Sequence, residues 1–389
     1  MQSVLNADLK REFVNRGFSR RSFGRIAAMM GGGVAAMPFF NEPALAQLSR
    51  VDAPPDSVFI NSNENPMGPC PEAREACANM IQYGGRYRFG EADKVRVILA
   101  QQEGLPGDHV QIFPGSSAPL HQAVLAFTFG PNFTTPTKSF VVGDPGYEAG
   151  GRAAAGIGAK VVSVPLLKDK GYAHDVKTMA AVENAGLIYI CNPNNPTGTL
   201  TPKEDIEWLI NNKPKGAIVM IDEAYTHISG AEFMSPAVAA DKDVIILRTF
   251  SKIYGMAGLR AGAAFARPDI LRKINVFSHT SMLPITAMAA AGASLQAKDL
   301  VPKRREIIAN VRQDTFNFLE RNRFSYVPSV SNCFMVDVKR PPREVITALA
   351  KEKVVIGRSW PSWPTHVRVT VGTAEEMKKF QAAFLKVMA

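Results

Sequence analysis

The chain is poor in the residues that build metal or disulfide proteins. It has four cysteines and six histidines in 389 residues. Cys70 and Cys77 are too close in sequence and too far apart on a helix, roughly 10.5 Å of rise, to form a bridge. Cys191 ends an apolar run, so no disulfide framework is expected. The histidines show no metal-ligand spacing. No internal repeat or low-complexity segment is evident. No basic run is interleaved with aromatics, so the net charge of +10 reads as a cationic surface suited to small anions rather than to nucleic acid. The apolar stretch Ile26 to Phe40 is short for a membrane span and is broken by Gly31, Gly32 and Gly33.

That stretch belongs to a different pattern. Ser19-Arg20-Arg21-Ser22-Phe23-Gly24-Arg25 is a twin-arginine export motif, and Ala44-Leu45-Ala46 supplies a small-x-small cleavage site. The expectation is export to the periplasm as a folded protein, with the mature chain starting near Gln47 and no stable membrane insertion. The other readings are an amphipathic basic tail and an uncleaved anchor. The remaining length exceeds one typical domain, and 46% apolar content supports a substantial core.

The most informative stretch is Thr249-Phe250-Ser251-Lys252-Ile253-Tyr254-Gly255-Met256-Ala257-Gly258-Leu259-Arg260. One amine sits among hydroxyls, glycines and a guanidinium. Lys252 is placed to form an imine with a phosphorylated aldehyde, while the hydroxyls and Arg260 hold the phosphate. Asn192-Pro193-Asn194-Asn195-Pro196-Thr197-Gly198 follows the apolar strand Leu187 to Cys191, and its amides can donate to a ring oxygen. Ala217 to Asp222 is another buried strand, ending in a carboxylate with Tyr225 three residues on. A buried Asp needs a partner, and a protonated pyridine nitrogen would be one; capping of the next helix is the alternative. Gly115-Ser116-Ser117 opens a helix whose free N–H groups suit phosphate.

With these motifs the chain resembles the fold-type I pyridoxal-phosphate enzymes of the class I/II aminotransferase family, most of all the histidinol-phosphate aminotransferase branch. Asn63-Glu64-Asn65-Pro66-Met67-Gly68-Pro69 is similar to that branch's opening motif, and Val367-Arg368-Val369-Thr370-Val371-Gly372-Thr373 to its closing one. The resemblance covers roughly residues 57–386. It implies pyridoxal 5'-phosphate as cofactor and an amino donor and a 2-oxo acid as substrates. By the resemblance Lys252, Asp222 and Tyr225 are catalytic. Asn195 and Tyr225 bond the ring oxygen, and Tyr147 stacks on the ring. Ser116, Ser117, Thr249, Ser251 and Arg260 hold the phosphate, with Tyr87 reaching the cofactor of a second subunit in a homodimer. Arg368 clamps the substrate carboxylate, Arg358 faces a second substrate anion, and Asn65 lies with them. The chain departs from the branch at Ser116-Ser117-Ala118-Pro119, at Met67 and in the aromatic stretch Trp360-Pro361-Ser362-Trp363-Pro364.

Strands ending near Val142, Val164, Cys191, Asp222 and Leu247 alternate with helical stretches, which argues an α/β fold with a mainly parallel sheet and crossover helices. The expected organisation is a leader over 1–46, an arm over 47–83 packing on a smaller domain, a large cofactor domain over 84–298, and a smaller α+β domain over 299–389. The leading function is amino transfer. A decarboxylase of the same fold and an exported, non-catalytic binding protein are the competing readings.

Overall fold

The computed structural model describes residues 54, 56–130, 135–278 and 283–389. The export motif and cleavage site lie outside the described residues.

Seven strands form the main sheet. They are β2 (Val110–Phe113), β3 (Ser139–Asp144), β4 (Val161–Pro165), β5 (Ala185–Cys191), β6 (Ile218–Asp222), β7 (Val244–Thr249) and β8 (Gly262–Phe265). Their order is β2-β8-β7-β6-β5-β3-β4. Strands β7, β6, β5, β3 and β4 pair in parallel, and only β8 runs against its neighbours. The chain is thus the α/β type with a mainly parallel sheet that the strand–helix alternation predicts. Every residue of β5, β6 and β7 is buried. That is why these strands read as unbroken apolar runs: helices cover a parallel sheet on both faces. The helix Lys203–Asn212 shows the matching stripe, burying Ile206, Leu209 and Ile210 at helical spacing.

β8 reads Gly-Ala-Ala-Phe and was not among the expected strands. It has no β-branched residue, so sequence pattern does not announce it. Its small residues serve close packing. At Gly262 any side chain would run into the Gly115 backbone and the Arg248 carbonyl.

The remaining strands are short. β1 (Val58–Ile60) pairs in parallel with β10 (Val354–Ile356), and β9 (Cys333–Asp337) pairs antiparallel with β11 (His366–Thr370). The chain after Ile60 therefore starts from the C-terminal layer. The 22-residue helix Leu300–Arg321 leads into that layer. The last helix, Ala374–Met388, opens with a reciprocal capping box between Thr373 and Glu376.

Candidate active site

The parallel strands β3, β5, β6 and β7 are neighbours, so their carboxyl ends share one edge of the sheet, where ligands of open α/β sheets bind. Tyr147 follows β3, Asn195 follows β5, Asp222 ends β6, and Lys252 follows β7. All four line one cavity of about 290 Å³, together with Ser116, Ser117, Tyr225, Thr249, Ser251 and Arg260. Sheet topology alone gathers residues spread over more than a hundred positions of chain.

Lys252 is 7% exposed, and its Nζ lies 5.5 Å from the centre of the Tyr225 ring and 3.4 Å from the Ser62 carbonyl. Asp222 is buried beneath it. Its Oδ2 accepts from the Tyr189 hydroxyl at 2.8 Å and its Oδ1 from the Ala224 N–H at 3.1 Å. The capping bond at Ala224 and the cavity-facing role thus coexist. Burial pushes the Asp222 carboxyl up from its ordinary 3.8 to about 6, against the opposing pull of Tyr189, Ala224 and the Lys252 charge. A carboxylate so costly to ionise calls for a cation in the cavity beside it.

Tyr189 is a site residue that sequence reading passed over as strand filling. The signal was there: a phenol inside a wholly apolar run must find a partner. Tyr189→Phe removes the donor and should push the Asp222 carboxyl further up. A hydrogen bond to a charged group is worth about 1.5–3 kcal/mol, so cofactor binding should weaken roughly tenfold or more. Its pH midpoint should also rise. Binding titrations against pH read both, and an unmoved midpoint would leave Tyr189 as core packing only.

The phosphate end is built from three pieces. The helix Ser117–Thr128 starts at the cavity, its free N–H groups and positive dipole end directed there. The Thr249 hydroxyl donates to Ser251 Oγ at 2.9 Å, and Arg260 Nη1 donates to the same Oγ at 3.2 Å. Arg260 has a left-handed backbone, φ 61°, rare for a side chain of this size. Its guanidinium lies across Gly115, where φ is 87° and any side chain would collide with it. Burial lowers the Arg260 pKa, and an incoming anion would offset that cost.

A strap runs along the site. Residues 61–65 leave β1 and touch one site residue after another. The Asn61 carbonyl accepts from Arg368 Nη2 at 2.6 Å. Asn63 donates through Nδ2 to the Tyr225 hydroxyl at 3.0 Å, and its backbone N–H donates to Thr370 Oγ1 at 2.9 Å. Ser62 and Glu64 line the cavity. Asn65 departs from its expected substrate role. Its Nδ2 donates to the Ile253 carbonyl at 3.1 Å and its Oδ1 accepts from the Met67 N–H at 3.1 Å, so the amide is spent fixing backbone. Asn63 is the member of the motif that reaches the site, because its positive φ of 53° turns the strap at that point.

Arg368 is fully buried on β11 and donates through Nη1 to Asn195 Oδ1 at 2.9 Å. With its oxygen taken, the Asn195 amide has its N–H end to offer a ring oxygen. Arg358 departs from the second-anion expectation. Its Nη2 lies 2.9 Å and its Nε 3.1 Å from Glu148 Oε2, so a protein carboxylate holds the guanidinium. Tyr87 does not line the cavity and is 68% exposed.

Comparison with known proteins agrees with this geometry. The sequence model for aminotransferase class I and II matches residues 55–384. The chain belongs to that family. Among its relatives, the histidinol-phosphate aminotransferase of Symbiobacterium thermophilum is 35% identical over 333 residues, covering 84% of this chain and 90% of that protein. The Moorella thermoacetica histidinol-phosphate aminotransferase is 31% identical over 360 residues, covering 90% and 91%. The crystal structure of the Sinorhizobium meliloti histidinol-phosphate aminotransferase in complex with pyridoxal-5'-phosphate superposes with a TM-score of 0.77 at 25% identity, covering 91% of this chain and 96% of that one.

Family and site together make this protein a pyridoxal-phosphate-dependent transaminase. The residues present fit that cofactor. The cavity has an amine at one side, a buried carboxylate beneath, and at its far end a hydroxyl-lined cradle whose guanidinium lies over a bare glycine.

Proposed function

We propose that the enzyme moves an amino group from an amino acid or a phosphorylated amino alcohol, histidinol-phosphate-like, to a 2-oxo acid. The observation that carries this reading is the disposition of Lys252 and Asp222 across one cavity, with the buried Arg368 beside Asn195 at its edge. The names of the Symbiobacterium and Moorella relatives support it.

When bound, the cofactor supplies an aldehyde and an electron-accepting ring. The chain does the rest. Asp222 would pair with the ring nitrogen and keep its proton in place. Tyr225 and Asn195 would hold the ring oxygen, and Tyr147 would pack against the ring face. Arg260, Ser251 and the N-terminus of the helix Ser117–Thr128 take the phosphate. Arg368 fixes the donor carboxylate in the fork geometry that a guanidinium favours. Lys252 Nζ would then take the α-proton and return it. Mixing holoenzyme with a panel of donors tests the reading. Donors should convert the cofactor's visible spectrum, and turnover should require a 2-oxo acid. Release of carbon dioxide without an acceptor would show a decarboxylase instead, and a protein without a borohydride-sensitive absorbance band would be a binding protein.

We further propose that the active unit is a homodimer. Ile81, Tyr87 and Phe89 are each more than half exposed, an apolar concentration unusual for a free surface. A twofold interface covering them would carry each Tyr87 toward the partner's cofactor phosphate. Light scattering should give twice the subunit mass; a single-subunit mass with full activity would refute the assignment. Export by the twin-arginine route, with cleavage after Ala46, is proposed from the leader motif. Periplasmic fractionation of the tagged protein, with and without Arg20 and Arg21 replaced by lysine, tests it.

A further inference from the structure

Glu148 is paired with Arg358, the residue expected to face a second substrate anion. It follows Tyr147, which lines the cavity, and precedes the helix Ala149–Gly156. Its Oε2 accepts from Arg358 Nε at 3.1 Å and lies 2.9 Å from Nη2 as an ion pair, and its Oε1 accepts from Arg152 at 3.3 Å. Arg358 is 6% exposed and is the backbone neighbour of Arg368, whose N–H donates to the Arg358 carbonyl at 3.1 Å. The Trp360 ring serves both arginines, 4.5 Å from the Arg358 guanidinium and 5.6 Å from that of Arg368. Trp360 Nε1 in turn donates to the Gly146 carbonyl at 2.8 Å, and the Ser362 hydroxyl to Asp144 at 2.8 Å. The aromatic loop is therefore fastened to the loop that carries Tyr147 and Glu148.

We propose that Glu148 is the specificity-determining residue of this site: by holding Arg358 it closes the second-anion site, so the preferred donor has one carboxylate, bound by Arg368, and an uncharged, apolar distal group. The proposal rests on the amino-transfer reading and narrows its donor class to amino acids, setting aside the phosphorylated amino alcohol. The physical reason is competition. A distal phosphate or carboxylate would have to displace Glu148 from a nearly buried guanidinium or sit beside its negative charge, and either is unfavourable. An apolar group pays neither penalty and gains the indole beside it.

Two ligands without amino or keto groups separate the possibilities: 3-phenylpropionate, with one carboxylate and an apolar end, and glutarate, with a carboxylate at each end. Calorimetric titration of the holoenzyme should show 3-phenylpropionate binding at least about tenfold more tightly. Glu148→Gln should narrow that ratio about tenfold, mainly by tightening glutarate, whereas Glu148→Asp, which keeps the charge, should stay near the parent. If Glu148→Gln does not fold, Glu148→Ala carries the same comparison. Tighter glutarate binding by the parent, a ratio unmoved by loss of the charge, or no binding of either ligand would overturn the proposal. Spectral conversion by amino donors, recorded on the same preparation, separates the two readings. Conversion with an unmoved ratio sinks only the role of Glu148. The expected ratio without conversion sinks only amino transfer.

Discussion

Lys252→Ala should abolish turnover while leaving the fold intact. On the proposed reading the side chain has two jobs that no neighbour can take over: it would form the covalent attachment to the cofactor aldehyde and shuttle the α-proton. A positioned proton-transfer group alone contributes up to about 10⁴-fold, so the loss in kcat should be at least of that order. Stability should hardly suffer, because the Nζ lines the cavity, with a long 3.4 Å contact to the Ser62 carbonyl and the Tyr225 ring centre at 5.5 Å. Removing a nearly buried amine also relieves a desolvation cost. The cofactor should still bind through the Arg260, Ser251 and helix N-terminal contacts, but the bound form should no longer be trapped by borohydride. Steady-state rates, circular dichroism and borohydride trapping on one preparation check all three. Parent-like rates in the variant would overturn the assignment of the site.

The sequence announces the cofactor side of the site and obscures the substrate side, for a physical reason. Asp222, Asn195 and Lys252 each sit at or just past the end of an apolar parallel strand, and strand ends are legible from hydrophobic runs and turn residues. The topology then brings them together without further information. Arg358 and Arg368 are held differently. Their environment depends on Glu148 and Asn61, which come from distant parts of the chain and join them only in the folded molecule, and on the nearby Trp360 ring. A lone Arg in a loop does not show whether its partner will be a substrate anion or a glutamate two hundred residues away. The opening motif shows a similar limit. Its spacing marks a functional strap, but only the positive φ of Asn63 decides that this residue reaches Tyr225 while Asn65 holds backbone. Strand β8 was hidden for a third reason, since its glycine and alanines are chosen for close backbone approach rather than for strand propensity.

Asp222→Asn should separate catalysis from stability in the opposite sense to an ordinary core substitution. Asparagine has nearly the same shape, but it cannot hold the ring nitrogen protonated by charge. Loss of that electrostatic support should cost roughly 10²–10³-fold in kcat, about 3–4 kcal/mol in the transition state. The fold should respond differently. Burial raises the Asp222 pKa from its ordinary 3.8 to about 6 in the cofactor-free protein, so between those values the folded state binds more protons than the unfolded one. Stability from this group is therefore fully present below about pH 4 and is lost as the pH rises toward 6, by about 1.4 kcal/mol per unit. Asparagine carries no charge and escapes that loss. It gives up one acceptor, since Tyr189 and the Ala224 N–H both donate to this side chain, at a cost of about 1 kcal/mol. The cofactor-free variant should thus melt at or slightly above the parent at pH 8, and the difference should shrink or reverse at pH 5. Thermal melts at the two pH values, with steady-state rates at pH 8, make the measurement. A variant within tenfold of the parent in rate would reduce Asp222 to a cap on the Ala224 turn. A variant that lost stability equally at both pH values would show that its carboxylate is not held at a cost.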